Sequence, residues 1–291
     1  MKVGLGQLTG LICGAAVWIA AVGSGRADIS YSSGTNNITT AVTSTLDLYG
    51  GVLNVDVGGS VTGSSQAFGF GIVVYGGTLN IYGNVMGGSG TYAEGINLLA
   101  GTVNIYSGSI SGGTSTDWAD GIGISGGTLN IYGGNIAGGF GTYAEGLNSS
   151  GGQINMYHGS VEGGRGAYAW GIDLTQGGLN LAGGTVRGGS GYYIWDLAVE
   201  AGGGNRTSTA NIYGQNFNAG AGSLAGDGGI LTGALEDGTA LDLMYSQSQG
   251  SQIVLQVAPE PSVPMLGVLG AVAAISGLGR RRIRLLKDGR R

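Results

Sequence analysis

The sequence predicts an all-β fold: a single-stranded parallel β-helix, a solenoid with three short strands in each coil of about 25 residues, followed by one C-terminal transmembrane helix. Right-handed winding is the expectation because it is the common hand for coils of this length. Three observations predict this class. A glycine-punctuated phrase recurs, as GGTLNIYGNVMGGSGTYAEGI from Gly76 and again as GGTLNIYGGNIAGGFGTYAEGL from Gly126. Anchored on its asparagine, the phrase falls at Asn54, Asn80, Asn104, Asn130, Asn155, Asn180 and Asn211, with spacings of 26, 24, 26, 25, 25 and 31. A period of this length is one structural coil, too long for hexapeptide or calcium-binding nonapeptide repeats. Finally, 66 Gly with only 3 Pro and 10% charged residues accompany an apolar fraction of 42%. That apolar content separates the chain from disordered linkers, and the lack of a Gly-X-Y period excludes collagen.

The elements follow in order. Residues 1–27 have the build of a secretory signal peptide: Lys2, an apolar run from Leu8 to Val22, then small residues up to Ala27. Residues 28–50, rich in Ser, Thr and Asn and off the repeat, are the candidate N-terminal cap, since an open solenoid end invites edge pairing. Residues 51–218 carry the coils. In each, TLNIY alternates so that Leu and Ile share one face. A lone apolar residue (Val85, Ile110, Ile136, Val161, Val186) marks a second strand, and the GI-x-L segment (Ile96 and Leu98, Ile122 and Ile124, Ile172 and Leu174) a third. Glycines between them supply the corners, where positive φ is needed. Residues 219–257 read as last strands and a C-terminal cap.

Charge narrows the partners. Between Asp28 and Val257 stand 15 acidic residues against Arg165, Arg187 and Arg206, a balance of −12 with no lysine. Such a surface repels nucleic acid and anionic membranes. The single cysteine, Cys13, lies inside the apolar leader, so the processed chain has no disulfide and no thiol ligand. No metal cluster, cofactor loop or nucleophile motif is visible.

In-register coils place like side chains above one another. The asparagines, the tyrosines Tyr82, Tyr106, Tyr132 and Tyr157, and an aromatic column of Phe68, Tyr92, Trp118, Tyr143, Tyr168 and Tyr193 should therefore form ladders. If Tyr92, Trp118, Tyr143 and Tyr168 project outward, they could stack on sugar rings. One column supplies carboxyls, Glu94, Asp120 and Glu145, the catalytic candidates. Neighbours one coil apart would sit near the separation of a retaining glycosidase pair, about 5.5 Å or slightly less. Phe70, Trp170 and Trp195 fill the same column elsewhere, which suggests a repeat position rather than a singular site. The sole histidine, His158, falls at a corner.

The C-terminus reads VAPEPSVPMLGVLGAVAAISGLGRRRIRLLKDGRR: all three prolines, an apolar segment over 263–279, and a basic cluster. Pro259, Glu260 and Pro261, then a short glycine-containing apolar helix, then Arg280, Arg281 and Arg282, resemble the PEP-CTERM sorting signal of Gram-negative bacteria. That resemblance, over 258–291, implies recognition by an exosortase at the Pro-Glu-Pro motif after secretion and signal-peptidase cleavage. It also implies transient anchoring in the inner membrane and association with exopolysaccharide and biofilm. The coils are similar to passenger solenoids of autotransporter-type surface proteins. Together these give the expected function: an exported cell-surface or extracellular-matrix structural or adhesin-like protein, without enzymatic activity. The alternatives are a polysaccharide lyase or hydrolase and a glycan-binding module.

Overall fold

The computed structural model describes residues 29–201 and 207–257. The leader (1–27), Pro259 to Pro261, the apolar 263–279 segment and the terminal arginines lie outside the described residues.

The chain winds into a β-solenoid of stacked parallel strands. Three ladders run its length. The first contains the asparagine phrase: Thr35–Ile38, Val52–Val55, Thr78–Ile81, Thr102–Ile105 and Thr128–Ile131, then the C-terminal parts of Leu147–Met156 and Ile172–Leu181, and Ser208–Gln215. Every pairing is parallel and in register, so Asn37, Asn54, Asn80, Asn104, Asn130, Asn155, Asn180 and Asn211 lie in one column. The second is the short ladder from Ala41–Thr43 to Thr185–Arg187, built around the lone apolar residue. The third carries GI-x-L, from Leu46–Leu48 through Ile96–Leu98 and Ile122–Ile124 to Leu197–Val199.

Period-two alternation explains which side chains go inside. In the first ladder Leu79, Ile81, Leu129 and Ile131 are completely buried while the intervening Asn80 and Asn130 face outward and are half-buried. Val85, Ile110, Ile136 and Val161 from the second ladder, with Ile96, Leu98, Ile122 and Ile124 from the third, complete one continuous core. Each such side chain is worth roughly 1.5–3 kcal/mol removed from water, which no single coil could collect alone. Between third and first strands the chain turns at Gly77, Gly101, Gly127 and Gly152, with φ of 75° to 87°. A Cβ on Gly127 would lie 2.6 Å from Gly101 O, so both conformation and the close approach of the coil below require glycine.

A fourth feature is an arm that leaves the coil between the second and third strands, found among the described residues at 63–71, 87–95, 112–121, 138–146, 163–171 and 188–196. Its tips pair partly as strands, Ser89–Tyr92 with Thr114–Trp118, and partly as single bridges such as Tyr143 with Tyr168. Four of the six arms, those at 87–95, 112–121, 138–146 and 163–171, begin at a glycine pair and return through a buried alanine. Gly113 N donates to Ala93 O at 2.6 Å and Gly139 N to Ala119 O at 2.5 Å, tying each arm's start to the end of the one below.

Residues 29–50 form a coil rather than a separate element. Ile29–Tyr31 pairs with Leu46–Leu48 and Thr35–Ile38 with Val52–Val55, in parallel register. This first coil lacks an arm, which shortens its spacing and explains why it falls off the repeat. At the other end Gly228–Leu235 and Ala240–Gln247 form an antiparallel hairpin, and Leu231, Leu235, Leu241, Leu243 and Tyr245 join the core. Among the described residues no helix is long and apolar enough to cross a membrane.

Candidate functional site

Glu94, Asp120 and Glu145 stand where the arm returns to the third strand. The next residue in each coil is glycine, and a Cβ at Gly121 would lie 2.6 Å from Gly146 O and 2.7 Å from Ile136 Cγ2. With that position closed to any side chain, the backbone packs coil on coil: Gly95 N donates to Asp120 O at 3.1 Å and Gly121 N to Glu145 O at 2.9 Å. The three carboxyls are thereby stacked, but not presented. They are only 8%, 1% and 0% exposed.

Their partners lie one coil further on, at the x of GI-x-L. Glu94 reaches over Gly123, whose missing side chain makes the room: a Cβ there would collide with Glu94 Oε2. Asp120 accepts from Glu145 N at 3.0 Å through Oδ1, and from Asn148 Nδ2 at 3.2 Å through Oδ2. Asp173, in register with Asn148, adds a fourth buried carboxyl. Glu94 Oε2, both oxygens of Glu145, Asp173 Oδ1, Asn97 Oδ1 and Trp170 Nε1 are buried with no hydrogen-bond partner. Burial pushes the carboxyls up: Asp120 to about 7, against hydrogen bonds from Glu145 and Asn148 that pull it down. Glu94 is raised first by burial and then by the charge of Asp120. Glu145 is raised by burial, then by Asp120, Asp173, Glu200 and Glu94. Asp173 is raised by burial, then by Glu200 and Asp120.

As a glycosidase pair this column lacks an entrance, because a general acid must touch the glycosidic oxygen. Among the described residues no group of three or more His, Cys, Asp or Glu could hold a metal ion. Asp173 was not singled out in the sequence. The available signal was the run of polar or small residues at the x position: Asn97, Gly123, Asn148 and Asp173.

The aromatic candidates form a ladder with a break. Trp118, Tyr143, Tyr168 and Tyr193 stack face to face at 4.2, 4.8 and 4.9 Å, and Phe68 stacks on Tyr92 at 5.4 Å. The arm at 112–121 holds one extra residue, and the pairing of Ser89–Tyr92 with Thr114–Trp118 shifts register there. Stacking occupies the ring faces a sugar would use, so within the run the edges are what solvent meets. Tyr92, Trp118, Tyr143 and Tyr168 are half-buried, whereas the terminal Phe68 and Tyr193 are exposed. A second ladder, Tyr82, Tyr106, Tyr132 and Tyr157, stacks at 4.8 to 5.3 Å, with a further pair, Tyr49 and Tyr75, at 4.6 Å.

Beside the arm tips runs an open groove of about 620 Å³, lined by Thr116, Phe140, Thr142, Arg165, Ser190 and Tyr192. Arg165 lies 6.0 Å from the Phe140 ring centroid, and Tyr192 is 91% exposed. His158, at its corner, bonds through Nδ1 to Asp237 Oδ2 at 3.0 Å. No family model, curated protein or solved structure matches this chain.

Proposed function

We propose that this chain is an exported structural or adhesin-like rod of the bacterial surface and extracellular matrix, delivered by an exosortase-type sorting enzyme. The observation that carries the reading is repetition along the whole solenoid, broken only where the aromatic arm ladder shifts register between Tyr92 and Trp118. One outward asparagine column and two outward aromatic ladders are presented coil after coil on a rigid core, a surface suited to many weak contacts rather than one deep site. The leader and the Pro259–Glu260–Pro261, apolar segment and Arg280–Arg282 series support export and sorting through the inner membrane. Right-handed winding and a C-terminal membrane helix belong to the same reading.

Mass spectrometry of the secreted and envelope fractions tests it. The mature N-terminus is expected at Asp28, and the surface form is expected to lack the arginine tail. A surface form that keeps Arg280 to Arg282 overturns the sorting step. A second reading, contact with an exopolysaccharide, is favoured by the arm-tip groove, where Tyr192, Phe140 and Arg165 offer ring faces and a guanidinium to an extended polymer. Affinity electrophoresis in gels cast with the host polysaccharide should show retardation that Tyr192→Ala with Arg165→Ala abolishes; equal mobility of both forms removes this reading.

A further inference from the structure

The carboxyl column poses a physical question that the rod reading leaves unanswered. Glu94, Asp120, Glu145 and Asp173 occupy successive coils, all more than nine-tenths buried. Glu145 is wholly buried and bonds through neither oxygen. The other charged groups acting on the column are Asp117 and Glu200, both acidic. The described arginines, Arg165 and Arg187, are exposed, at an arm tip and on the second ladder. The polar neighbours are Asn97, Asn148 and the Trp170 indole. Four buried carboxylates without a cation would be far more costly than the fold could sustain, whereas neutral acids bring one O–H donor each to the oxygens left bare.

We propose that these four side chains form a proton-loaded latch: as neutral acids they hold the arms against the third ladder, and their ionisation lifts the arms away. The arms are the element that yields. Glu94, Asp120 and Glu145 sit on the arm's return, and the arms hold one another through coil-to-coil backbone bonds and isolated bridges at their tips, whereas the three ladders pair as continuous strands. Opening breaks arm-to-arm backbone bonds such as Ala119 N to Tyr143 O at 2.8 Å, and leaves the three ladders of the core wound. It uncovers the alanine column, Ala93, Ala119, Ala144 and Ala169, now fully buried.

The direction follows from linkage. Groups raised in the folded state bind more protons there than in the unfolded chain. Their stabilising contribution is therefore complete below the unfolded value near 4 and is lost as pH rises through the folded value, about 7 for Asp120. Ordinary surface carboxylates are already ionised above pH 5.5, so a loss between pH 5.5 and 8.5 that survives His158→Gln isolates the column.

The test is the thermal midpoint of the full chain in mild detergent across that window, with hydrogen–deuterium exchange, corrected for intrinsic rates, resolving arms from ladders. The wild type should lose about 5 °C or more. Exchange should accelerate in 138–146 and 163–171 but not in Thr128–Ile131. Glu145→Gln, neutral at every pH, should lose measurably less, since three of the four acids remain to titrate. Glu94→Gln, at the column's end, serves if the first variant fails to fold, and His158→Gln, which removes the only histidine, should leave the slope unchanged. A flat wild-type profile, equal slopes in the glutamine variants, or acceleration spread evenly over ladders and arms overturns the latch. So does full recovery at pH 8.5 on adding calcium chloride at about a millimolar, which would make a cation rather than protons the occupant.

Discussion

His158 Nδ1 lies 3.0 Å from Asp237 Oδ2, a contact spanning 79 residues that joins a coil corner to the turn of the terminal hairpin. The same carboxylate accepts from Gly184 N at 3.1 Å and, through Oδ1, from Thr239 N at 2.8 Å. These bonds hold Asp237 below the usual carboxylate range despite an opposing effect of burial. The hairpin buries Leu241 and Leu243 over the last coils, so the carboxylate pins the lid of the column.

Asp237→Ala should therefore destabilise the fold by about 1–2 kcal/mol at pH 7, and His158→Ala by less than about 1 kcal/mol, because the imidazole is the exposed partner of a pair whose other bonds remain. Since the carboxylate is favoured in the folded state, its contribution is present above the unfolded value near 4 and is lost as pH falls through the depressed folded value. Urea midpoints should separate wild type from Asp237→Ala at pH 7 and bring them together at about pH 2.

The asparagine column should behave as a chain of equal links. Asn130 Nδ2 donates to Asn104 Oδ1, and Asn155 Nδ2 to Asn130 Oδ1, both at 2.9 Å. Asn130→Ala breaks two links and leaves two half-buried amides short of a partner, at a cost of about 1–2 kcal/mol. Asn37→Ala removes only the terminal link, from Asn54 Nδ2 at 2.7 Å, and should cost about half as much by the same denaturation measurement.

Two glycines at positive φ should respond differently to alanine. Gly127 (φ 75°) faces Gly101 O at 2.6 Å from the added carbon, whereas nothing lies within 4 Å of Gly58 (φ 88°). Gly58→Ala incurs backbone strain alone, about 1–2 kcal/mol. Gly127→Ala adds a collision with rigid backbone and should lower the thermal midpoint several degrees further, or prevent folding.

Tyr143→Ala removes a ring stacked between Trp118 and Tyr168, at 4.2 and 4.8 Å. A loss of about 1–3 kcal/mol is expected from the two stacking contacts. Tyr193→Ala, at the exposed end of the run, should cost less than half of that.

Much of the fold was legible because in-register stacking repeats a side chain's environment as well as its identity. Leu79, Leu129 and their kin are read as core from alternation alone, and Asn80 as outward. What escaped depends on contacts that break the period. Asn37 precedes Asn54 by 17 positions, short of a full repeat, because the first coil has no arm; the eighth member of the column was hidden by a change of length. Asp173 belongs to the carboxyl column only through a diagonal reach from one coil to the next, which a column-by-column alignment does not connect. His158 finds Asp237 because the cap folds back, and no repeat encodes that return. The carboxyls themselves were visible, but their burial beneath the arm was not: outward parity in the strand says nothing about an excursion that covers it.

The central claim is that successive repeat windows lie directly on one another. Val57→Cys with Tyr157→Cys, in a Cys13→Ser background, places nitroxide labels four coils apart, and double electron–electron resonance reads the separation. Stacking at about 4.8 Å per coil sets the backbones roughly 19 Å apart, so a narrow distribution between about 15 and about 30 Å is expected with the label linkers. A distribution centred beyond about 40 Å, twice the stacked separation, or one with no defined maximum, would contradict the stack.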